Sequence, residues 1–433
     1  MTATKGHIRK ALDSAGWLVV ERVTVLLLNF LVGILVARYL APEAYGTLSY
    51  AVALVGLLAA LPYLGLAGTV VQQLVLERER QAEIMGTVMW SKAAAGLAAL
   101  LLANLVAALA VQDGDTRLLV FLVSLSLLFD ASSGIRLVFE SRTDVRHLAL
   151  ATSFAGVAAA MARVAAVALH AHLWVFAAMV AIQSALTAFG YIVLYRRFID
   201  KGLHFPFSKA RAKLLFAKSW PLIVSSAAAS IYLRIDQFML GEMLGMASVG
   251  TYAVAARLSE VWYLLPTAIA TAIFPRLVQL KESDPAKYEQ RIRESLRYLF
   301  WLSLLIAVPV TFLATPLIVT LFGEPYREAG LILAIHVWAC PAVFMGQIIE
   351  KWFVTEDLLK YLIGRQLMAA AVNVGLNLAL IPRYGGAGAA VATVISYTLA
   401  YYVSCFTSKR TAQAGRWMTE AMFWPLLRLR RPS

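Results

Sequence analysis

Residues 48–76 read LSYAVALVGLLAALPYLGLAGTVVQQLVL, a run without one charged side chain. Wound as a helix at about 1.5 Å per residue, it is longer than the ~30 Å hydrocarbon core of a bilayer. Two further charge-free runs, residues 23–37 and 93–111, lie on either side of it. The whole chain follows suit: of its 433 residues, 61% are hydrophobic and only 15% charged, with a mean hydropathy of +0.72. A soluble domain sits near 45–50% apolar and about 25% charged. Lipid is therefore the expected solvent for most of this surface.

Hydropathy and punctuation place about twelve transmembrane helices, near 14–39, 45–71, 84–111, 117–139, 147–170, 173–196, 215–241, 248–279, 296–321, 328–353, 361–381 and 387–407. The runs are continuously apolar and lack the ten-residue alternation of barrel strands, so an all-α integral membrane protein is expected. The first run is too long for a signal peptide and lacks a small-residue cleavage pattern, so it is expected to remain in the chain. Alternate connections differ sharply in charge. One set carries about 28 Lys and Arg residues, the other only Arg38, Arg117, Arg327 and Arg383. Under the positive-inside rule both termini are cytoplasmic. The same bias accounts for the net charge of +14 and points to anionic lipid rather than nucleic acid as the partner of the basic surface.

The chain looks duplicated. Ala44-Tyr45-Gly46-Thr47 leads a helix containing Pro62. At an offset of 204 residues, Ser248-Val249-Gly250-Thr251 leads a helix containing Pro266. This suggests two six-helix lobes in parallel: an N-lobe over 1–200, a basic cytoplasmic linker over 201–218, a C-lobe over 219–408, and a basic amphipathic tail over 409–433. In the tail Trp417, Met418, Phe423 and Trp424 alternate with Arg416, Arg428, Arg430 and Arg431, which reads as an interfacial segment on anionic lipid.

No soluble chemistry is evident. The chain lacks a GxxxxGK[ST] phosphate loop, an HExxH helix and a CxxC pair, so neither ATP hydrolysis nor a metal cofactor is expected. His170 and His172 read as a solvated turn, and Asp113 and Asp115 as turn chemistry. Cys340 and Cys405 read as small packing residues. The short external connections offer no acid-bearing loop for a sugar-transferring enzyme.

The informative residues are charges inside the spans: Arg22, Lys92, Arg136, Arg163, Arg234 and Arg257, with Glu21, Asp130, Asp236 and Glu260. Each would cost roughly 2.5–3.5 kcal/mol if it faced lipid at mid-membrane. They must be paired, snorkelling or lining a watered cavity. Lys92 and Arg136 are within about two turns of the cytoplasmic face and are expected to snorkel. Helical spacing groups the others with polar neighbours. Ser226, Ser230, Arg234 and Gln237 share one face, as do Arg22 and Asn29, and Asn373 and Asn377. For Arg22 and Arg234 a cavity is the favoured reading. Arg257 and Glu260, at i,i+3, leave an internal salt bridge and a ligand site both open. For Asn373 and Asn377 interhelical hydrogen bonding stands equally beside a functional role. A basic cavity in an apolar bundle suits a phosphate or pyrophosphate headgroup with a lipid part, since arginine binds phosphate in a bidentate fork.

Several stretches resemble the Wzx-type polysaccharide and O-antigen flippases of the multidrug/oligosaccharidyl-lipid/polysaccharide (MOP) superfamily. The likeness is carried by residues 37–51 (ARYLAPEAYGTLSYA), Leu64-Gly65-Leu66, residues 235–241 (IDQFMLG), residues 249–255 (VGTYAVA), Phe274-Pro275, residues 373–377 (NVGLN) and residues 381–393 (IPRYGGAGAAVAT). It covers about residues 10–407. Where the family often has arginine after the aspartate of the seventh helix, this chain has Gln237, with Arg234 before it. The resemblance implies a MOP/MATE-like fold with a central cavity between lobes. It also implies a flippase of the bacterial inner membrane that carries a polyprenyl-pyrophosphate-linked oligosaccharide by alternating access, for exopolysaccharide or O-antigen export. Arg22, Asn29, Arg163, Arg234, Arg257, Asn373 and Asn377 would then line the substrate cavity. Pro62 and Pro266 would kink the gate, and Asp236 or Glu260 would couple protons or sodium. Arg22 and Arg257 fall in helices comparable to those whose arginines hold pyrophosphate in the similar lipid II flippases. Those relatives carry fourteen helices, and the twelve here favour a polysaccharide repeat unit. A polysaccharide polymerase and other assembly proteins are the implied partners. Two alternatives are a multidrug or metabolite antiporter of the same superfamily and a membrane polysaccharide polymerase or ligase.

Overall fold

A computed structural model of the chain describes the backbone of residues 2–142, 145–200 and 204–424, and the side chains of the same residues apart from 2–20, 22 and 23. Among the described residues there is no β-strand. The helices are α1 (Thr2–Leu58), α2 (Ala60–Tyr63), α3 (Ala67–Leu76), α4 (Gln81–Ala110), α5 (Gly114–Ser124), α6 (Ser126–Phe129), α7 (Ser133–Ser141), α8 (Arg146–Ala168) and α9 (Leu173–Phe198). They continue as α10 (Lys209–Leu244), α11 (Met246–Glu260), α12 (Leu264–Ser283), α13 (Pro285–Phe322), α14 (Ala329–His336), α15 (Cys340–Thr355), α16 (Leu359–Tyr401) and α17 (Ala412–Met422).

Ten stretches of the described residues are long and apolar enough to cross a membrane. Two of them, Thr24–Leu76 and Leu359–Thr407, contain 53 and 49 residues. As straight helices they would reach roughly 75–80 Å, more than twice a bilayer core. Both are broken, at Ala41 (φ 58°, ψ 172°) and at Gly385 (φ 57°, ψ −138°). The ten stretches therefore hold the twelve expected spans. Pro42 explains the first break, because a proline ring pushes the preceding residue out of the helical region.

The repeat has a backbone counterpart. Gly245, 204 positions after Ala41, has nearly the same conformation (φ 89°, ψ 174°) at the start of α11. The helices that follow are both interrupted near their prolines. Pro62 lies in the single turn of α2, which ends at Leu64 (φ 53°) and Gly65 (φ 56°). Pro266 follows a 3-10 turn over Val261–Tyr263. Proline removes a backbone donor and crowds the preceding turn, which accounts for the interruption of both spans.

Side-chain placement fits lipid rather than water. On α4 the small residues Gly96, Ala99, Ala103 and Ala107 are buried. Leu97, Leu101, Leu105 and Leu109 point outward, Leu109 at 80% exposure. A soluble helix would bury its leucines; a membrane helix packs through its small residues and gives leucine to the acyl chains.

The chain divides into two units, Met1–Phe238 and Met239–Ser433, and the boundary falls inside α10. The first unit has a core of Ile84, Met85, Val88, Ile135, Val138 and Phe139, closed by Tyr191 and Tyr195 of α9. In the second, Phe344, Ile348, Ile349 and Phe353 of α15 are buried together with Ile318 and Phe322 of α13. The helix expected over 215–241 starts earlier, at Lys209, and takes in half of the expected linker. Residues 201–203 of that linker and residues 425–433 of the tail lie outside the described residues.

Candidate functional site

In the first unit, two of the expected cavity residues meet. Arg163 of α8 donates from Nη1 to Oδ1 of Asn29 on α1 (3.1 Å), and from Nη2 to Oε1 of Gln183 on α9 (2.8 Å). The three side chains tie α1, α8 and α9 through one guanidinium fork, which is how arginine fixes planar acceptors. The backbone of Arg22 is helical, but its side chain lies outside the described residues.

Arg234 of α10 is exposed, and its stem lies across Gly56 of α1. A methyl group added at Gly56 would sit 2.5 Å from Cδ and Nε of Arg234. Glycine at this position is what lets the arginine reach over α1. Asp236, two residues on, is buried and engaged with a partner.

In the second unit, Arg257 and Glu260 both lie on the exposed side of α11, and neither is without a partner. Two turns further, Thr267 donates to the Tyr263 carbonyl (2.8 Å) and to Gln347 of α15 (3.4 Å). Asn373 and Asn377 of α16 are fully buried. Nδ2 of Asn377 donates to Oδ1 of Asn373 at 3.2 Å, so the pair bonds within its own helix. Nδ2 of Asn373 has no acceptor among the described residues. Pro62 and Pro266 are both buried beside the helix interruptions described above.

Two expectations are corrected. Lys92 and Arg136 do not snorkel. Lys92 is 5% exposed and pairs with Asp130 at 2.8 Å. Arg136 is clamped between Glu21 (3.1 Å) and Glu140 (2.9 Å). A carboxylate within reach removes the reason for a cation to seek the headgroups. The tail helix also differs from expectation. Trp417, Met418 and Ala421 of α17 are buried, Trp417 meets Trp352 edge-on, and Trp301 of α13 donates to the Ala421 carbonyl. The apolar side of α17 is covered by protein rather than lipid.

Two buried arginines escape sequence reasoning. Arg211, at the start of α10, reaches Glu77 (2.9 Å), Glu83 (3.3 Å) and Gln73 (3.5 Å). Its hydrogen bond holds the Glu77 carboxyl below the usual range. Arg365, near the start of α16, is 3% exposed and bonds Glu350 at 2.8 Å. Both stand close to span ends, where a charge looks unremarkable in hydropathy.

Against known families, residues 11–281 match the family described as Polysaccharide biosynthesis protein. The chain belongs to this family. A second family, MatE, matches residues 221–381. The chain is 29% identical over 175 residues to the probable flippase AglR of Haloferax volcanii, a match covering 39% of the chain and 36% of AglR. It is 24% identical over 331 residues to the succinoglycan biosynthesis transport protein ExoT of Rhizobium meliloti, covering 74% of the chain and 64% of ExoT. The chain thus spans less than two thirds of either relative's length. Among solved structures, the lipid II flippase MurJ in an inward closed conformation superposes with a TM-score of 0.69 at 17% identity, covering 96% of the chain and 93% of MurJ. At that identity the likeness concerns the fold alone.

Proposed function

We propose that this protein is a flippase that moves a polyprenyl-pyrophosphate-linked oligosaccharide repeat unit across the bacterial cytoplasmic membrane by alternating access. The observation that carries the reading is membership of the polysaccharide biosynthesis protein family over residues 11–281. Relatives named as a flippase and as a succinoglycan transport protein support it. Physical chemistry points the same way. A sugar headgroup cannot cross hydrocarbon alone, and arginines on the spanning helices offset the desolvation of a pyrophosphate.

In this reading the chain forms two lobes of six helices, and the spanning helices take up the headgroup while the polyprenyl tail stays in lipid. Arg22, Arg234 and Arg257 hold the phosphates. Arg163, fixed by Asn29, and the Asn373–Asn377 pair contribute polar lining. Breaks beside Pro62 and Pro266 act as hinges. Asp236 or Glu260 couples the cycle to protons or sodium, and a polysaccharide polymerase takes the product on the far side. The protein transports and does not catalyse.

Charge removal tests the reading. In cells whose surface polysaccharide depends on this protein, Arg22→Ala and Arg257→Ala, each expressed at the wild-type level, should reduce surface polymer by about tenfold or more, as expected for losing a charge-assisted hydrogen bond. Normal polymer from both variants would overturn the proposed site.

A further inference from the structure

In the second unit, one end of α16 carries a cavity of about 270 Å³. Lys360, Tyr361, Gly364 and Arg365 line it from α16, and Ser404 from the turn that follows this helix. Arg365 is the unusual member. Its side chain is 2% exposed and its guanidinium lies between the rings of Phe353 and Tyr401, 5.0 Å from each centroid. Nη2 bonds Glu350. Nη1 is buried and has no hydrogen-bond partner among the described residues. A buried guanidinium holding one acceptor is under-satisfied, and a charged donor left in that state is costly.

The surroundings supply what a second anion needs. Lys360 stands exposed, its ammonium 5.2 Å from the Tyr361 ring centroid. Tyr361 accepts a hydrogen bond from Ser408 (3.3 Å), which leaves its own O–H to donate. A methyl group added at Gly364 would meet nothing within 4 Å, so that position faces open space. Apolar side chains flank the site: Leu359, Leu367, Val403 and Phe406 are all exposed. Phosphate-binding groups with exposed apolar side chains beside them match a lipid headgroup with its acyl chains. By the positive-inside rule this end of α16 is the cytoplasmic one, where anionic lipid is concentrated.

We propose that this cavity binds the phosphate of an anionic membrane phospholipid, held by Lys360, Tyr361 and Arg365. The site uses none of the residues assigned to transport, so it stands or falls separately from the flippase reading.

The test titrates the purified full chain in detergent with dioctanoyl phosphatidylglycerol, dioctanoyl phosphatidylcholine and inorganic phosphate, and measures Kd for each. Gly364→Leu fills the cavity and keeps both cations, so it should weaken phosphatidylglycerol binding by at least about tenfold. Lys360→Gln should weaken it about fivefold, the effect of one basic residue near an anionic headgroup. Neither position is buried, and unchanged melting temperatures and elution volumes confirm folding. Phosphatidylglycerol binding that is saturable, stronger than that of phosphatidylcholine and sensitive to both variants supports the site. Equal binding by wild type and both variants, or equal affinity for phosphatidylcholine, overturns it. Inorganic phosphate binding as tightly as phosphatidylglycerol, and displacing it, overturns the assignment to lipid in favour of a soluble anion.

Discussion

The two units treat their buried cations differently. Among the described residues of the first, both buried cations are met by acids of their own unit, Lys92 by Asp130 and Arg211 by Glu77 and Glu83, as is the half-buried Arg136 by Glu21 and Glu140. In the second, Arg365 has one carboxylate, Glu350, and a nitrogen left over. A cation satisfied internally serves the fold. One left half-satisfied beside a cavity is prepared for something from outside. The contrast separates the arginines that hold helices together from those able to bind a ligand, which net charge alone could not do.

The largest expected effect comes from stranding a cation of the first unit. Asp130→Ala leaves Lys92 buried without its ion-pair partner and should destabilise the protein by about 3–5 kcal/mol, read as a lowered melting temperature in detergent. The double change Lys92→Met, Asp130→Leu should recover most of that loss, because a buried pair is often worth little over an apolar one. A neutral Asp130→Ala would break the contrast between the units.

Glu350→Gln sharpens it from the other side. Weakening the acceptor of Arg365 should cost about 1–3 kcal/mol, and phosphatidylglycerol should restore part of the melting temperature. The same lipid should do nothing for Asp130→Ala. Equal rescue of both variants would show that the lipid acts through general solvation.

The matched turns offer a smaller test. Ala41 and Gly245 share a backbone conformation that only glycine adopts freely. Ala41→Gly should stabilise the protein by about 1 kcal/mol, and Gly245→Ala should destabilise it by about 1–3 kcal/mol. Melting curves would show shifts of opposite sign. The smallest effect is on pH. Arg211 holds the carboxyl of Glu77 below its ordinary value of 4.5. Its contribution is therefore complete above about pH 4.5 and is lost as the pH falls through the lowered value. Glu77→Gln should flatten that part of the acid-melting profile.

Local pattern was legible in the sequence and distant pairing was not. The spans follow from hydropathy and punctuation. Asn373 and Asn377 meet because they are one turn apart. By contrast, Asn29 and Arg163 are 134 positions apart, and Glu21 and Arg136 are 115 apart. Periodicity places each on a helix face but cannot say which face it meets. For the same reason Lys92 and Arg136 looked free to snorkel, and the apolar side of α17 looked ready for lipid. Arg365 was missed because a charge near a span end carries no hydropathy penalty, and its burial depends on Phe353 and Tyr401.

The central claim is transport of a lipid-linked oligosaccharide. It is tested most directly by reconstituting the purified protein into liposomes that carry a polyprenyl-pyrophosphate-linked oligosaccharide, then timing the access of an added glycosidase to the sugar. Wild-type protein should make the sugar accessible from both leaflets at a rate that falls about tenfold or more in Arg257→Ala. Accessibility no faster than in protein-free liposomes, across either polarity of imposed proton and sodium gradients, would contradict the account.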